Sequence, residues 1–248
     1  MNALNNIKCV AKRQLASYFN SPVAYVFIVI FLLLSGFFTF MVGGFFERDQ
    51  ASLTAFFMWH PWLYLFLVPA VGMGLWAEER RMGTMELLLT MPITPWQAIV
   101  GKFLAAWAFL ALALVLTFPV ILTVNRLGTP DNGIIFCGYV GSLMLAGAYL
   151  AVSSMTSAMS RNQVVSFILS VVICLFLILA GWPPVTNMLV KWANPALVQA
   201  IAGMSVMPPF EGFQKGVLDI RDIVFFLSII GFSLFTTGVV IRNLRSGH

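Results

Sequence analysis

The chain has 248 residues, of which 60% are hydrophobic and only 9% are charged, and its net charge is +5. Soluble domains carry about a quarter charged residues. The composition therefore excludes a water-soluble globular protein and predicts an all-α integral membrane protein. We attribute the excess of basic residues to membrane topology and the membrane surface, not to nucleic-acid binding.

Residues 3–19 are predicted to form an amphipathic helix on the membrane surface. Its polar positions include two lysines and an arginine, which suit an anionic headgroup layer just ahead of a membrane span. The alternative is a basic flank that only fixes topology. The predicted apolar face consists of residues that recur at spacings of three and four: Leu4, Ile7, Ala11, Leu15 and Tyr18.

Six long stretches without Asp, Glu, Lys or Arg predict six transmembrane helices. A helix needs about 20 apolar residues to cross a hydrocarbon core of about 30 Å. With six spans both termini lie on one side, which holds nine of the 14 Lys and Arg residues, so we expect cytoplasmic termini. The predicted spans cover 22–44, 59–78, 98–124, 134–158, 164–181 and 222–241.

Between the second and third spans lies an unusual concentration of charge, residues 75–103, which we name the charged turn. Gly83 is predicted to stop the second span, and Thr84 to cap a short helix over 84–91 that ends before Pro92. Thr94 to Gln97 then provide an N-cap, an early proline and the glutamine of a capping box. We expect Lys102, Arg80 and Arg81 to face the cytoplasm.

The short helix over 84–91 is apolar on nearly every face, although it belongs to a cytoplasmic loop. An exposed apolar patch rimmed by charge usually marks a contact surface. The alternative is that this helix folds back onto the membrane or the helix bundle. The apolar residues of interest include Leu87, Leu88 and Leu89, with Glu86 favourably placed in the first turn.

Two further segments are distinctive. The fourth span carries small residues on one helical stripe, which allows close approach of a neighbouring helix in this chain or in a partner: Gly147, Ala151, Ser154 and Ala158. The non-cytoplasmic segment 182–221 contains several prolines with short apolar pieces at 185–193 and 196–205. It is predicted to form short helices at the outer membrane face.

Residues for catalysis or for binding a cofactor are not apparent. The only Gly-Lys pair, Gly101-Lys102, precedes Phe103 and lacks the rest of a phosphate-binding loop. His60 is interpreted as an interfacial residue and is distant in sequence from His248. The three cysteines have no metal-ligand or disulfide spacing. We therefore expect no catalytic residue, no metal site and no cofactor bound by this chain.

Two motifs resemble those of ABC-2-type transporter permeases, and within that family the gliding-motility-type, GldF-like permeases are the most similar. The first motif is carried by Glu78, Glu79, Gly83, Thr84, Glu86, Leu88, Leu89, Pro92, Ile93, Thr94, Gly101 and Lys102. The second is carried by Phe210, Phe213, Gly216, Val217, Leu218, Asp219, Arg221 and Asp222.

The resemblance implies a permease driven by a separate ATPase. Residues 1–20 match a connecting helix, 79–97 a loop whose coupling helix docks on an ATP-binding subunit, and 182–221 an outer re-entrant segment with the second motif as its gate. Two ATP-binding subunits, which bind ATP and Mg²⁺, would drive two permeases paired as a homodimer or heterodimer in the bacterial inner membrane, with export expected. The implied coupling residues are Glu78, Glu79, Arg80, Arg81, Gly83, Thr84, Glu86, Leu87, Leu88, Leu89 and Pro92; the implied gate residues are Phe210, Phe213, Gly216, Asp219, Arg221 and Asp222.

Two alternatives stay open from the sequence. The chain could be a membrane anchor or regulator that recruits an ATPase without transporting a substrate. It could also be a secondary carrier acting alone. The carrier is the less favoured alternative, because ion-coupled carriers need ionisable groups or broken helices inside the membrane and the predicted span interiors are almost free of charge.

Overall fold

The computed structural model describes residues 3–45, 52–85, 93–190 and 195–246. Within these ranges the secondary structure is entirely helical, as predicted, and contains no strand. The helices in chain order are α1 (Ala3–Phe19), α2 (Pro22–Phe37, continued by a π-helical turn Phe38–Val42), α3 (Thr54–Met58), α4 (His60–Gly72), α5 (Gly74–Met82), α6 (Pro95–Val115), α7 (Phe118–Leu127), α8 (Asn132–Met159), α9 (Gln163–Leu179), α10 (Pro183–Val190), α11 (Pro195–Ala202), α12 (Met207–Gln214) and α13 (Ile220–Ser246).

Five helical segments in the described ranges are long and apolar enough to cross a membrane. They are Pro22–Val42, His60–Met82, Pro95–Leu127, Asn132–Met159 and Ile220–Asn243. The span predicted over 164–181 corresponds to α9, which is apolar but has only 17 residues. At 1.5 Å per residue such a helix is about 26 Å long, slightly less than a typical hydrocarbon core. The count of six spans therefore remains a prediction.

Helix α8 is the centre of the bundle. It packs against α4, α5, α6, α9, α12 and α13, and most of its side chains are buried. Helices α2 and α13, by contrast, expose large apolar side chains along much of their length. This distribution fits a bundle whose central helix contacts protein and whose outer helices contact lipid.

Two of the predicted spans are interrupted. The second consists of α4 and α5, which meet at Met73, and it extends four residues beyond the predicted end at 78. The third consists of α6 and α7, with a break just before Pro119, whose ring removes a backbone donor. At that break the Thr117 hydroxyl donates to the Leu114 carbonyl (2.6 Å) and lies 2.7 Å from the Tyr139 hydroxyl.

Helix α1 lies against α6. Its buried face is centred on Asn6 and Val10, which the periodicity argument did not select. The prediction that Leu4 belongs to the buried apolar face is wrong, because its side chain is 70% exposed. The reason is the position of α6, which covers the face next to the predicted one. The remaining four predicted positions are half-buried.

The segment predicted over 182–221 forms short helices in its described part, as expected. Helices α10 and α11 correspond to the two predicted apolar pieces. A third short helix, α12, was not predicted as an element, and it packs on α8. Its burial makes α12 part of the bundle core and not a surface connector.

Candidate functional site

Helix α5 stops at Gly83, the helix-stop residue that the sequence predicted. Gly83 adopts a left-handed conformation with φ 71°, and its amide donates to the Glu79 carbonyl. Glycine tolerates this conformation because it has no Cβ. The Thr84 hydroxyl lies 3.5 Å from the same carbonyl. The Glu79 carbonyl near the C-terminal end of α5 is therefore satisfied before the chain enters the predicted coupling segment.

Most of the predicted coupling helix over 84–91 lies outside the described residues. This applies to Glu86, Leu87, Leu88 and Leu89, and Pro92, which follows the predicted helix, also lies outside the described residues. The structure does describe the two helix ends that flank the segment, the end of α5 and the start of α6. The geometry of the charged turn is therefore the geometry of these two ends and of the helices that hold them.

Lys102 and Glu79 form an ion pair that joins α5 to α6. Lys102 Nζ lies 2.7 Å from Glu79 Oε1, donates to the Leu75 carbonyl at 2.6 Å, and stands 4.3 Å from the centroid of the Trp76 ring. Lys102 is only 2% exposed. The expectation that Lys102 faces the cytoplasm is therefore wrong, because α5 covers it and supplies its carboxylate, carbonyl and aromatic partners.

A sequence signal for this pair existed but was not used. Lys102 lies two turns inside α6, in a run that is otherwise apolar. A cation in such a place requires a partner, because an unpaired buried charge is costly. The acidic residues of α5, on the other side of the charged turn, are Glu78 and Glu79. The structure selects Glu79, while Glu78 is exposed.

The predicted start of the third span is confirmed at its capping residues. Thr94 is the N-cap of α6, Pro95 opens it, and the Thr94 amide donates to Gln97 Oε1 at 3.1 Å. The same Gln97 oxygen accepts a 3.1 Å hydrogen bond from Asn6 Nδ2. A single glutamine side chain therefore ties α1 to the cap of α6.

A close helix crossing reinforces that tie. A Cβ built on Gly101 would lie 2.9 Å from the Val10 side chain and 3.1 Å from the Ile7 carbonyl oxygen. Further along α1, Tyr18 stacks on Phe109 with ring centroids 5.2 Å apart. Burial raises the pKa of the Tyr18 phenol above its ordinary value, so the group stays a neutral donor. Helix α1 is thus fixed along α6 from Gln97 to Phe109.

Helix α5 is also fixed to the last turns of α8. The Trp76 indole donates to Ser154 Oγ at 3.1 Å, and the Trp76 and Ala77 amides both donate to Ser157 Oγ at 3.0 Å. Arg80 donates from its guanidinium to the Ala158 carbonyl. Arg81 contributes no such contact and is exposed. Of the adjacent charged residues 78–81, the middle two point into protein and the outer two point away.

The small-residue stripe of α8 lies at helix contacts within this chain. Gly147 is close to the Trp107 indole of α6 and to Ile230 of α13. The other members, Ala151, Ser154 and Ala158, are buried. Ser154 and Ala158 face α5, because Ser154 Oγ accepts from the Trp76 indole and the Ala158 carbonyl accepts from Arg80.

The residues of the predicted outer gate differ in their burial. Phe210 and Phe213 are fully buried in the bundle, and a Cβ built on Gly141 would lie 2.5 Å from Phe213 Cβ. Gly216 has a φ of 79°, and a Cβ there would meet Ile134 at 2.8 Å. The charged members are not fully buried: Asp219 and Arg221 are exposed, and Asp222 is half-buried. Asp219 Oδ1 accepts from the Arg221 amide at 2.9 Å, so the carboxylate caps the start of α13.

His60 is not interfacial. It is fully buried, its Nδ1 lies 3.0 Å from the Phe56 carbonyl oxygen, and its ring packs edge-on against Phe31, Phe56 and Tyr64. The expectation is wrong because α3 folds over the start of α4 and places aromatic rings on the imidazole. Among the described residues no three His, Cys, Asp or Glu side chains are grouped so that they could hold a metal ion.

Comparison with known families gives one match. The family model described as ABC-2 family transporter protein matches residues 66–239, which is more than half of the chain. The matched range begins within α4, includes the whole charged turn, and ends within α13. No curated protein matches the sequence.

Proposed function

The chain belongs to the ABC-2 transporter family, and from that membership we propose that it couples ATP hydrolysis by a separate ATP-binding subunit to movement of a substrate across the membrane. As a member of the family it is a multi-pass membrane protein and the permease component of an ABC transporter. We propose the coupling to a separate ATPase, and we propose export as the direction of transport.

The observation that carries the proposal is the anchoring of both ends of the charged turn. The end of α5 is bonded to α6 through Glu79 and Lys102 and to α8 through Arg80. The start of α6 is bonded to α1 through Gln97 and Asn6. A force applied to the segment between these ends would therefore act on α5 and α6 and, through these bonds, on α8 and α1. This is the mechanical property that a docking segment for an ATPase requires.

The chemistry of that segment fits a protein partner. It contains consecutive leucines, Leu87 to Leu89, followed by Pro92, and the adjacent Glu78 and Arg81 side chains are exposed. Apolar anchors within a charged rim are the usual composition of a protein interface. We propose that 84–91 is the coupling helix that docks on the ATP-binding subunit.

The wider assembly follows from the same proposal. Two ATP-binding subunits, which would hold ATP and Mg²⁺, drive two permeases that pair as a homodimer or a heterodimer in the bacterial inner membrane. Each permease has six spans, with α9 as the fifth, and cytoplasmic termini. The GldF-like subtype and the outer gate formed by the second motif are parts of this proposal that rest on sequence similarity.

Replacement of Leu88 tests the coupling assignment. Leu88→Asp introduces a charge where an apolar anchor is expected, so permease-dependent ATP hydrolysis should fall about tenfold or more. The measurement is the ATPase rate of the purified permease and ATP-binding subunit in proteoliposomes. Leu127→Asp is the matched control, because Leu127 is an exposed leucine at the last residue of α7 and lies outside both motifs. Normal ATP hydrolysis in a membrane-inserted Leu88→Asp complex would contradict the assignment.

A further inference from the structure

The second span is divided at Met73, and the division leaves the first turn of α5 without a cap of its own. The residue at the N-cap position of α5 is Met73, whose side chain makes no capping hydrogen bond. The first amides of any helix lack intrahelical acceptors. Inside a membrane-spanning segment water does not supply the missing acceptors, so another group must do so.

Ser157 of α8 supplies them. Its Oγ accepts from the Trp76 and Ala77 amides, both at 3.0 Å, and donates to the Met73 carbonyl at 2.7 Å. A serine hydroxyl has one donor and two acceptor positions, so all of them are used. The hydroxyl is fully buried and lies 81 positions away in sequence from Trp76. Ser157 therefore acts as the N-cap of α5 from another helix.

The two halves of the second span are held to α8 in different ways. In α4, a Cβ built on Gly72 would lie 2.4 Å from Ser153 Oγ, so the backbone of α4 packs closely on α8, and one long hydrogen bond of 3.4 Å, from the Ser153 hydroxyl to the Pro69 carbonyl, accompanies this packing. In α5, the ties to α8 are hydrogen bonds from Trp76, Ala77 and Arg80, and the Glu79–Lys102 ion pair ties α5 to α6. Directional polar bonds can be exchanged for others, whereas close backbone packing cannot.

We propose that α5 is a separately moving arm, hinged at Met73 and positioned by Ser157, and that it changes its position relative to α8 during the ATP cycle while α4 stays in place. The inference rests on the proposed function, because the ATP-binding subunit is what would move the arm. The charged turn begins within α5, so a subunit docked on that turn would act directly on the arm. Ser157 is a positioning residue in this scheme and touches no substrate or nucleotide.

Hydrogen–deuterium exchange of the assembled complex in lipid nanodiscs tests the arm without any substitution. Exchange is measured for peptides covering 60–72 and 74–82, first without nucleotide and then with Mg-ATP and orthovanadate. We expect exchange in 74–82 to change at least fivefold between the two conditions and exchange in 60–72 to stay the same. Equal responses of the two peptides, or no response in 74–82, would overturn the proposal.

Ser157→Ala tests the positioning role. Loss of the cap should raise exchange of the Trp76 and Ala77 amides about fivefold to thirtyfold without nucleotide and should abolish the difference caused by nucleotide. The maximal ATPase rate should fall while the KM for ATP stays the same. Ser142→Ala is the matched control, because Ser142 is also a fully buried serine of α8 but its Oγ has no hydrogen-bond partner. Identical exchange in the two variants would overturn the role of Ser157.

The two levels of the proposal fail differently. If the complex does not hydrolyse ATP in a permease-dependent way, the proposed function is wrong. The comparison of Ser157→Ala with Ser142→Ala without nucleotide still reports whether Ser157 caps the arm. If ATP hydrolysis is normal but 60–72 and 74–82 respond together, the function stands and the arm is wrong.

Discussion

Near one end of α8, Ser154, Ser157 and the Ala158 carbonyl hold α5 through hydrogen bonds, whereas towards the other end Gly138 and Gly141 allow aromatic rings to rest on the helix backbone. A Cβ at Gly138 would lie 2.4 Å from the Phe57 ring, and one at Gly141 would lie 2.5 Å from Phe213 Cβ. The first kind of contact can be broken and remade in a different position. The second kind depends on shape alone and tolerates little displacement.

This difference divides the bundle into a part suited to movement and a part suited to rigidity. The movable part adjoins the charged turn, where the ATP-binding subunit is proposed to dock. The rigid part packs α12 onto α8 and places Phe57 of α3 against Gly138 of α8. A transporter needs both, because a displacement at one end of a helix bundle can open a path only if another region stays in place.

The most severe test of the polar end is loss of the buried cation. Lys102→Met leaves the Glu79 carboxylate without its partner inside the bundle, so we expect the free energy of unfolding to fall by about 3 kcal/mol. The measurement is SDS-induced unfolding in mixed micelles. Lys215→Met is the control, because its ion pair with Glu211 is exposed and 3.9 Å long and should contribute less than about 0.5 kcal/mol. Equal losses in the two variants would show that the Glu79–Lys102 pair is unimportant.

The packed end is tested by adding one methyl group. Gly141→Ala places a Cβ against Phe213, and overpacking of this kind should destabilise the protein by about 2 kcal/mol, measured by the same unfolding assay. Gly36→Ala is the matched control, because a Cβ at Gly36 of α2 would meet no atom within 4 Å. Unchanged stability in Gly141→Ala would mean that the rigid end adapts as easily as the polar end.

The smallest expected effect concerns the tie between α1 and α6. Asn6→Ala removes the 3.1 Å hydrogen bond to Gln97, which should reduce the free energy of unfolding by about 1 kcal/mol. Asn5→Ala changes the neighbouring, exposed asparagine and should have no measurable effect. A difference of zero between the two variants would leave the hold of α1 to the crossing at Gly101 and the stacking of Tyr18 on Phe109.

Local signals in the sequence predicted local structure well. The stop at Gly83 and the capping residues Thr94 and Gln97 depend on residues within one turn of each other, and all are found where the sequence indicates. The apolar stretches likewise predicted the long helices. These features need no information from distant parts of the chain, which is why a single sequence was sufficient.

Features that depend on distant residues were missed. The break at Met73 is stabilised by Ser157, and the burial of Lys102 depends on α5 folding against α6. His60 was misplaced because α3, a helix of one turn, covers it. In each case the decisive contact joins residues from different elements, and helical periodicity contains no information about which elements meet.

The crossing of α1 over α6 has a consequence for biosynthesis. Helix α1 leaves the ribosome before α6, and helices α2 to α5 are made between them. The face that carries Asn6 and Val10 therefore has no partner in this chain until Gly101 and Gln97 have been synthesised and inserted. Docking of α1 therefore cannot precede synthesis of α6, and it completes the support of the charged turn only after the helices on both sides of that turn exist.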